Sequence, residues 1–140
     1  MYSVTKTFRV PVGHRLSKHK GLCKNIHGHN LKIEVRVSCF KLNDNDMVID
    51  FSDLKEIVSK YLEYWDHTLL LNSRDELVNS LQKTNKISFV AGDPTAENLC
   101  KYLFTRISGE LEIIHPLLLK VNFIRIWEND DSYAEYNGEV

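Results

Sequence analysis

Acidic residues are missing from the first 33 positions of this 140-residue chain, where Lys6, Arg9, Arg15, Lys18, Lys20, Lys24 and Lys32 supply seven positive charges. The other 107 residues carry eleven Lys and Arg against all nineteen Asp and Glu, so the overall charge of −1 conceals a cationic leading segment. That imbalance favours a small anionic ligand, phosphate above all. The acidic remainder, and the lack of aromatics among the cations, speak against a nucleic-acid groove. A solvated loop whose charges serve solubility is the plain alternative. Long apolar runs are absent too. Nothing approaches the ~20 residues needed to span a bilayer, and the leading segment has no apolar signal-peptide core, so no membrane partner is expected and cytoplasmic residence is. Cysteine is scarce: Cys23, Cys39 and Cys100 are odd in number and far apart, which suits free thiols in a reducing compartment.

With no repeat, low-complexity tract or linker, residues 1–140 read as one α+β domain. Residues 2–12 predict a first strand, and 15–26 a loop holding the basic cluster and Cys23. A second strand is predicted from His27 to Phe40, where Leu31, Ile33, Val35 and Val37 alternate with Lys32, Glu34, Arg36 and Ser38. After a polar turn over 41–46, Met47 to Phe51 is expected to return as a third strand in a hairpin. Ser52 or Asp53 then caps a helix, Glu56 completing a capping box, with Leu54, Ile57, Val58, Tyr61 and Leu62 on one face. A second helix opens at Asp93-Pro94-Thr95, with proline in its first turn and Leu99, Cys100, Leu103 and Ile107 on its apolar side before Gly109. Leu117 to Glu128 reads as a last strand, Leu119, Val121 and Phe123 facing one way and Leu118, Ile124 and Ile126 the other. Two helices cover only one face of a small sheet. The two-sided strand therefore predicts that the other face packs against copies of the chain.

Three histidines carry the chemistry. His27 and His29, two apart in an extended strand, aim both imidazoles at one point, and each continues the apolar stripe of Leu31, Ile33, Val35 and Val37. His14 extends the stripe of Phe8, Val10 and Val12 in the same way. Three imidazoles meeting at a strand end leave one tetrahedral position free, the arrangement of a catalytic zinc. Packing or surface histidines are the plain alternative.

Cys23, four residues before His27, lies near enough to act on a substrate held there. Lys20, Lys24 and a metal's charge favour its thiolate, a competent base. It is alternatively a fourth ligand, which would close the site, or a bystander. Asp66-His67 offers a carboxylate able to fix an imidazole tautomer for proton relay, or else a turn aspartate and a capping histidine. Glu128 ends the last strand, where its two oxygens suit the paired N–H donors of an aminopyrimidinone ring, though strand-end glutamates are commonly just solvated. Arg15, Lys18, Lys20 and Lys24 are the cations nominated for phosphate. His19 and His115 read as surface residues.

Phe8 to Leu16, Cys23-Lys24-Asn25-Ile26-His27-Gly28-His29, Met47 to Lys55, Asp66 to Asn72, Pro94-Thr95-Ala96-Glu97-Asn98-Leu99 and Ile126-Trp127-Glu128 occur in the order of one family's motifs. The chain resembles the 6-pyruvoyl-tetrahydropterin and 6-carboxy-tetrahydropterin synthases nearly end to end. The resemblance implies a tunnelling fold, a four-stranded antiparallel sheet with two helices on one side, trimers closing a barrel and two trimers stacking into a homohexamer. It implies Zn2+ on His14, His27 and His29, proton handling by Cys23 and by His67 with Asp66, a pterin anchored by Glu128, and Thr95 lining the pterin pocket. Three residues separate Cys23 from His27, which resembles the carboxy-forming branch. The implied substrate is 7,8-dihydroneopterin triphosphate and the implied products are 6-carboxy-tetrahydropterin, acetaldehyde and triphosphate, toward queuosine and other 7-deazaguanines. The pyruvoyl-forming or folate-route reaction on the same fold, and a non-catalytic zinc-stabilised module, are the rival readings. Gly13 stands where the family often has alanine, a departure that predicts a slightly looser His14.

Overall fold

A computed structural model describes residues 1–139. The elements are β1 (Tyr2–His14), a 3-10 turn at Leu22–Lys24, β2 (His27–Cys39), α1 (Phe51–Trp65), β3 (Leu69–Asn72), α2 (Val78–Leu81), β4 (Ile87–Val90), α3 (Ala96–Ile114), β5 (Lys120–Trp127) and β6 (Tyr133–Tyr136). The strands form one six-stranded sheet in the order β4-β3-β1-β2-β5-β6. β1, β2, β5 and β6 pair antiparallel, whereas β3 runs parallel to both β1 and β4. The sheet is thus larger than the four antiparallel strands expected, and mixed.

One face of it is the core. Val10, Val12, Leu31, Ile33, Val35 and Val37 pack there against Leu54, Val58 and Trp65 of α1 and Leu99, Leu103 and Ile107 of α3. The period-2 stripes of the strands and the 3.6-period stripes of the two long helices bury against each other, and this burial is the main stabilising force.

The structure differs from the sequence reading at several boundaries. Residues 47–51 form no strand: the Asn43 side chain accepts from the Asn45 and Met47 amides, Asp46 takes a left-handed conformation, and the chain turns with Val48 and Ile49 buried. Asp50, rather than Ser52 or Asp53, caps α1, its carboxylate accepting from the Ser52 amide at 2.7 Å. The Ser52 hydroxyl, which donates to the same oxygen, and then that amide hold the Asp50 carboxyl below its ordinary value. Pro94 precedes the Thr95 cap of α3 instead of sitting in the first turn, and α3 continues through Gly109 to bury Leu111. Burial of that leucine outweighs the roughly 1 kcal/mol that a helical glycine costs. β5 begins only at Lys120, because Leu117 takes a left-handed conformation in a turn and is almost fully exposed.

The last strand is two-sided only through Phe123, not in the alternation expected. Between Arg36↔Phe123 and Val37↔Val121 the register slips by one residue, leaving Asn122 as a bulge. Val121, Ile124 and Ile126 therefore all reach the core, while Phe123 lies on the opposite face under Arg36 and Arg125. The bulge removes the argument for self-association that rested on alternation.

Candidate metal centre and adjoining cleft

The metal-capable end of the sheet is assembled by register. His14 lies directly across from His27, and Val12 from His29, so the three imidazoles leave the core-facing side of the β1–β2 end together. β1 is fixed on its other side as well: the His67 amide donates to Pro11 at 2.9 Å, the Gly13 amide donates to Thr68 at 3.0 Å, and His14 pairs with Leu70 of β3. Nitrogens of the three rings lie within 4.8 Å of one another. Ring centroids are 4.5, 5.0 and 5.0 Å apart with interplanar angles of 65°, 85° and 86°, so the rings stand around one point like three walls of a corner.

The hydrogen bonds dictate which nitrogens are free. His14 Nδ1 is 2.8 Å from the Pro94 carbonyl and His27 Nδ1 is 2.7 Å from the Asn25 carbonyl. A carbonyl only accepts, so both Nδ1 atoms carry the proton and both Nε2 atoms present lone pairs. Those two Nε2 atoms face each other at 2.9 Å. Lone pairs at that separation repel unless a cation lies between them. Burial, the largest influence, holds His14 below its ordinary value against the opposing pull of the Pro94 carbonyl and of Glu128. The third nitrogen, His29 Nε2, is buried without a hydrogen-bond partner and lies 3.8 Å from Glu128 Oε2. Two zinc–nitrogen bonds at a tetrahedral angle need nitrogens about 3.3 Å apart, close to what is present. Converging lone pairs, an orphaned buried nitrogen and carbonyl-fixed tautomers fit a zinc-type ion.

Glu128 also borders a cavity of about 270 Å³ together with Thr95, Leu16, Ile126 and Tyr133. Thr95 caps α3, its hydroxyl accepting from the Asn98 amide, and the residue before it supplies the His14 carbonyl partner. The nominated pterin residues and the three histidines thus share one end of the molecule.

Cys23 sits in the 3-10 turn, half-buried, with its carbonyl accepting from the Leu16 amide at 2.9 Å, and it lies outside the cluster of metal-capable groups. Asp66 follows α1, and its carboxylate accepts from His67 Nδ1 at 2.6 Å, which fixes a proton on Nδ1 and orients the ring. His67 is exposed and shares with His29 the border of a second cavity of about 600 Å³ that includes Gly13, Gly28 and Lys86.

Arg15 departs from expectation. It is buried and its Nε lies 2.8 Å from Asp75 Oδ2, a carboxylate with no exposed surface, so its charge is spent inside the protein and it is withdrawn from the phosphate-binding set. Lys18, Lys20 and Lys24 remain exposed. Sequence reasoning took Asp93 only for part of a helix start, and it missed Asp75 and Asn72. In the structure Asp93 is buried, accepting from Ser17 Oγ at 2.6 Å, the Lys18 amide at 3.0 Å and Asn72 Nδ2 at 3.2 Å. Burial alone would raise its carboxyl, but these donors hold it below the ordinary carboxylate value. The one available signal was an aspartate preceding Pro-Thr, which a helix start explains equally well.

A mixed sheet with helices on one face and three convergent histidines at its end define a tunnelling-fold protein with a metal-capable centre. A sequence model of the 6-pyruvoyl tetrahydropterin synthase family matches residues 3–139, and the chain belongs to that family. The 6-carboxy-5,6,7,8-tetrahydropterin synthase of Haemophilus influenzae is 36% identical over 145 residues, covering 97% of this chain and 99% of that protein. Its namesake from Aquifex aeolicus is 31% identical over 160 residues, covering 99% of each. Among solved structures, an uncharacterized protein from Wolinella succinogenes has a TM-score of 0.85 at 20% identity, covering 99% of this chain and 98% of that one. The 6-pyruvoyl tetrahydropterin synthase of Plasmodium vivax has a TM-score of 0.75 at 18% identity over the whole of both chains. Both show the shared fold. Among the described residues no helix is long and apolar enough to cross a membrane.

Proposed function

We propose that this chain is a zinc-dependent carbon–carbon lyase. With one water it converts 7,8-dihydroneopterin triphosphate to 6-carboxy-5,6,7,8-tetrahydropterin with release of acetaldehyde and triphosphate, as a cytoplasmic homohexamer built from two trimers, toward queuosine and other 7-deazaguanines. The observation that carries the reading is the convergence of three imidazoles, with ring nitrogens within 4.8 Å of one another, beside Glu128. The names of the Haemophilus influenzae and Aquifex aeolicus relatives, and the three-residue gap between Cys23 and His27, support the carboxy-forming branch.

Glu128 binds the aminopyrimidinone edge with its two oxygens, and Thr95 walls the same cavity. His14, His27 and His29 would hold the zinc, which when bound would supply Lewis-acid chemistry to the substrate side chain. Cys23 takes a proton from the side-chain carbon. His67, held by Asp66 as the Nδ1–H tautomer, accepts or returns a proton at Nε2. Lys18, Lys20 and Lys24 hold the triphosphate.

The test is incubation of the metal-loaded protein with 7,8-dihydroneopterin triphosphate, product identification by mass spectrometry and elemental analysis of the protein. The expected result is the 6-carboxy product, acetaldehyde and one zinc per chain. A pyruvoyl or hydroxymethyl product would move the chain to another branch, and absence of zinc would remove the mechanism.

A further inference from the structure

Lys20 and Lys24 are exposed and sit on an irregular segment, so something must hold that segment over the cleft if its charges are to meet a substrate. The chain leaves β1 through Arg15, which is locked to Asp75, and two residues later both Ser17 and Lys18 are tied to Asp93. The contacts divide by oxygen: Oδ1 of Asp93 accepts from Ser17 and Asn72, and Oδ2 accepts from the Lys18 amide. The Asp93 carbonyl meanwhile accepts from Asn98 Nδ2 and from the Thr95 amide, both at 2.8 Å, and the next carbonyl, that of Pro94, fixes His14.

We propose that Asp93 is a positioning residue that holds the cationic loop over the cleft for a triphosphate-bearing ligand. The inference rests on the pterin triphosphate reading above. Asp93 touches no reacting atom. It sets the loop's place relative to α3 and the Glu128–Thr95 cavity, with three donors satisfying its buried charge.

Asp93→Asn separates positioning from charge. With the amide oxygen in the Oδ1 position, Ser17 and Asn72 keep their acceptor, while the amide nitrogen faces the Lys18 N–H and that one bond is lost. Removing a negative charge near a polyanion would by itself tighten binding, whereas freeing the loop loosens it. The two effects therefore have opposite signs.

The probes are neopterin triphosphate and neopterin, both oxidised and fluorescent, titrated into the zinc-loaded full-length protein. Wild type is expected to bind the triphosphate form more tightly. Asp93→Asn is expected to weaken the triphosphate form by about fivefold to tenfold, the worth of one hydrogen bond, and to leave neopterin affinity and zinc content unchanged. Ser17→Ala is expected to move the same way by less. Hydrogen exchange should accelerate over residues 17–24 in Asp93→Asn, with residues 96–99 unaltered.

Tighter triphosphate binding, equal losses for both ligands, or unaltered exchange over 17–24 would each overturn the assignment. So would a wild type that binds the two ligands equally, since the loop would then hold no phosphate. If wild type binds neither ligand, the pterin reading itself fails, and hydrogen exchange then reports only whether Asp93 fixes the loop.

Discussion

Two nitrogen lone pairs held 2.9 Å apart, each fixed by a carbonyl behind its ring, make the histidine end of this protein uncomfortable without a cation. His29 stands outside that pair, so removing its ring takes away only the third candidate ligand. His29→Ala is therefore expected to stay folded by circular dichroism, since His29 is only half-buried, while zinc falls from one per chain to below a tenth after dialysis. Cys23 gives the complementary result. It lies outside the metal-capable cluster, so Cys23→Ser is expected to keep its zinc and its melting temperature and to lose turnover by about 10²- to 10⁴-fold, the scale of one acid–base group. Loss of zinc in Cys23→Ser would instead mark a closed structural site and favour the non-catalytic module. At this scale the sequence was informative because strand parity is strict: residues 14, 27 and 29 had to share a face if both strands were regular, and they do. Arg15 was less legible. A cation beside a candidate ligand histidine reads as exposed charge until the fold brings Asp75 to it from the turn after β3.

Elements fail or succeed by whether their pattern is local. The stripes of α1 and α3 and the alternation in β2 are local and were legible. β3 was not, because Leu69, Leu70 and Leu71 are buried regardless of side, as in a parallel strand covered on both faces, and a short apolar run of that kind has no period to read. The Asn122 bulge misled more actively, since one inserted residue reversed the apparent facing of everything before it in β5. At Gly13 a Cβ would meet Leu69 Cδ1 at 3.4 Å and the nearest backbone oxygen only at 3.8 Å, which is ordinary contact. Gly13→Ala is accordingly expected to be stabilising by about 0.4–1 kcal/mol through the unfolded chain, and tighter zinc retention in that variant would bear out the looser His14 expected beside glycine. The helix pair offers a second measurement. Tyr61 of α1 donates to Glu110 of α3 at 2.7 Å, and that bond pushes the phenol up to about 12, so it remains a donor at neutral pH. Burial would raise Glu110, but Lys60 and Tyr61 together hold it low. Tyr61→Phe should cost about 1 kcal/mol near neutrality by chemical denaturation. A depressed carboxyl contributes fully above its unfolded value of 4.5 and less as the pH falls below it, so the wild-type advantage should shrink in acid.

At the scale of the molecule, two sheet edges are unpaired among the described residues, β4 with Phe89 and β6 with Tyr133, both aromatics about half exposed. Such edges present backbone donors and acceptors to any strand that can reach them. The face opposite the core is built from mutual contacts: Arg125 lies 4.2 Å from the Phe123 ring centre and 4.8 Å from that of Tyr133, and it pairs with Glu34 and Glu135. A face organised in this way suits the inside of a ring of sheets, where charges meet each other and a restricted amount of water. The cavity that holds Thr95 and Glu128 is bordered by β6, so the copy that pairs with that edge would also wall the site. Light scattering at micromolar concentration is expected to give six times the 16.3 kDa chain mass, and Tyr133→Asp is expected to lower both the mass and the turnover. A wild type that scatters as one chain while remaining fully active would show that the sheet edges are capped within the monomer and that the cleft needs no neighbour.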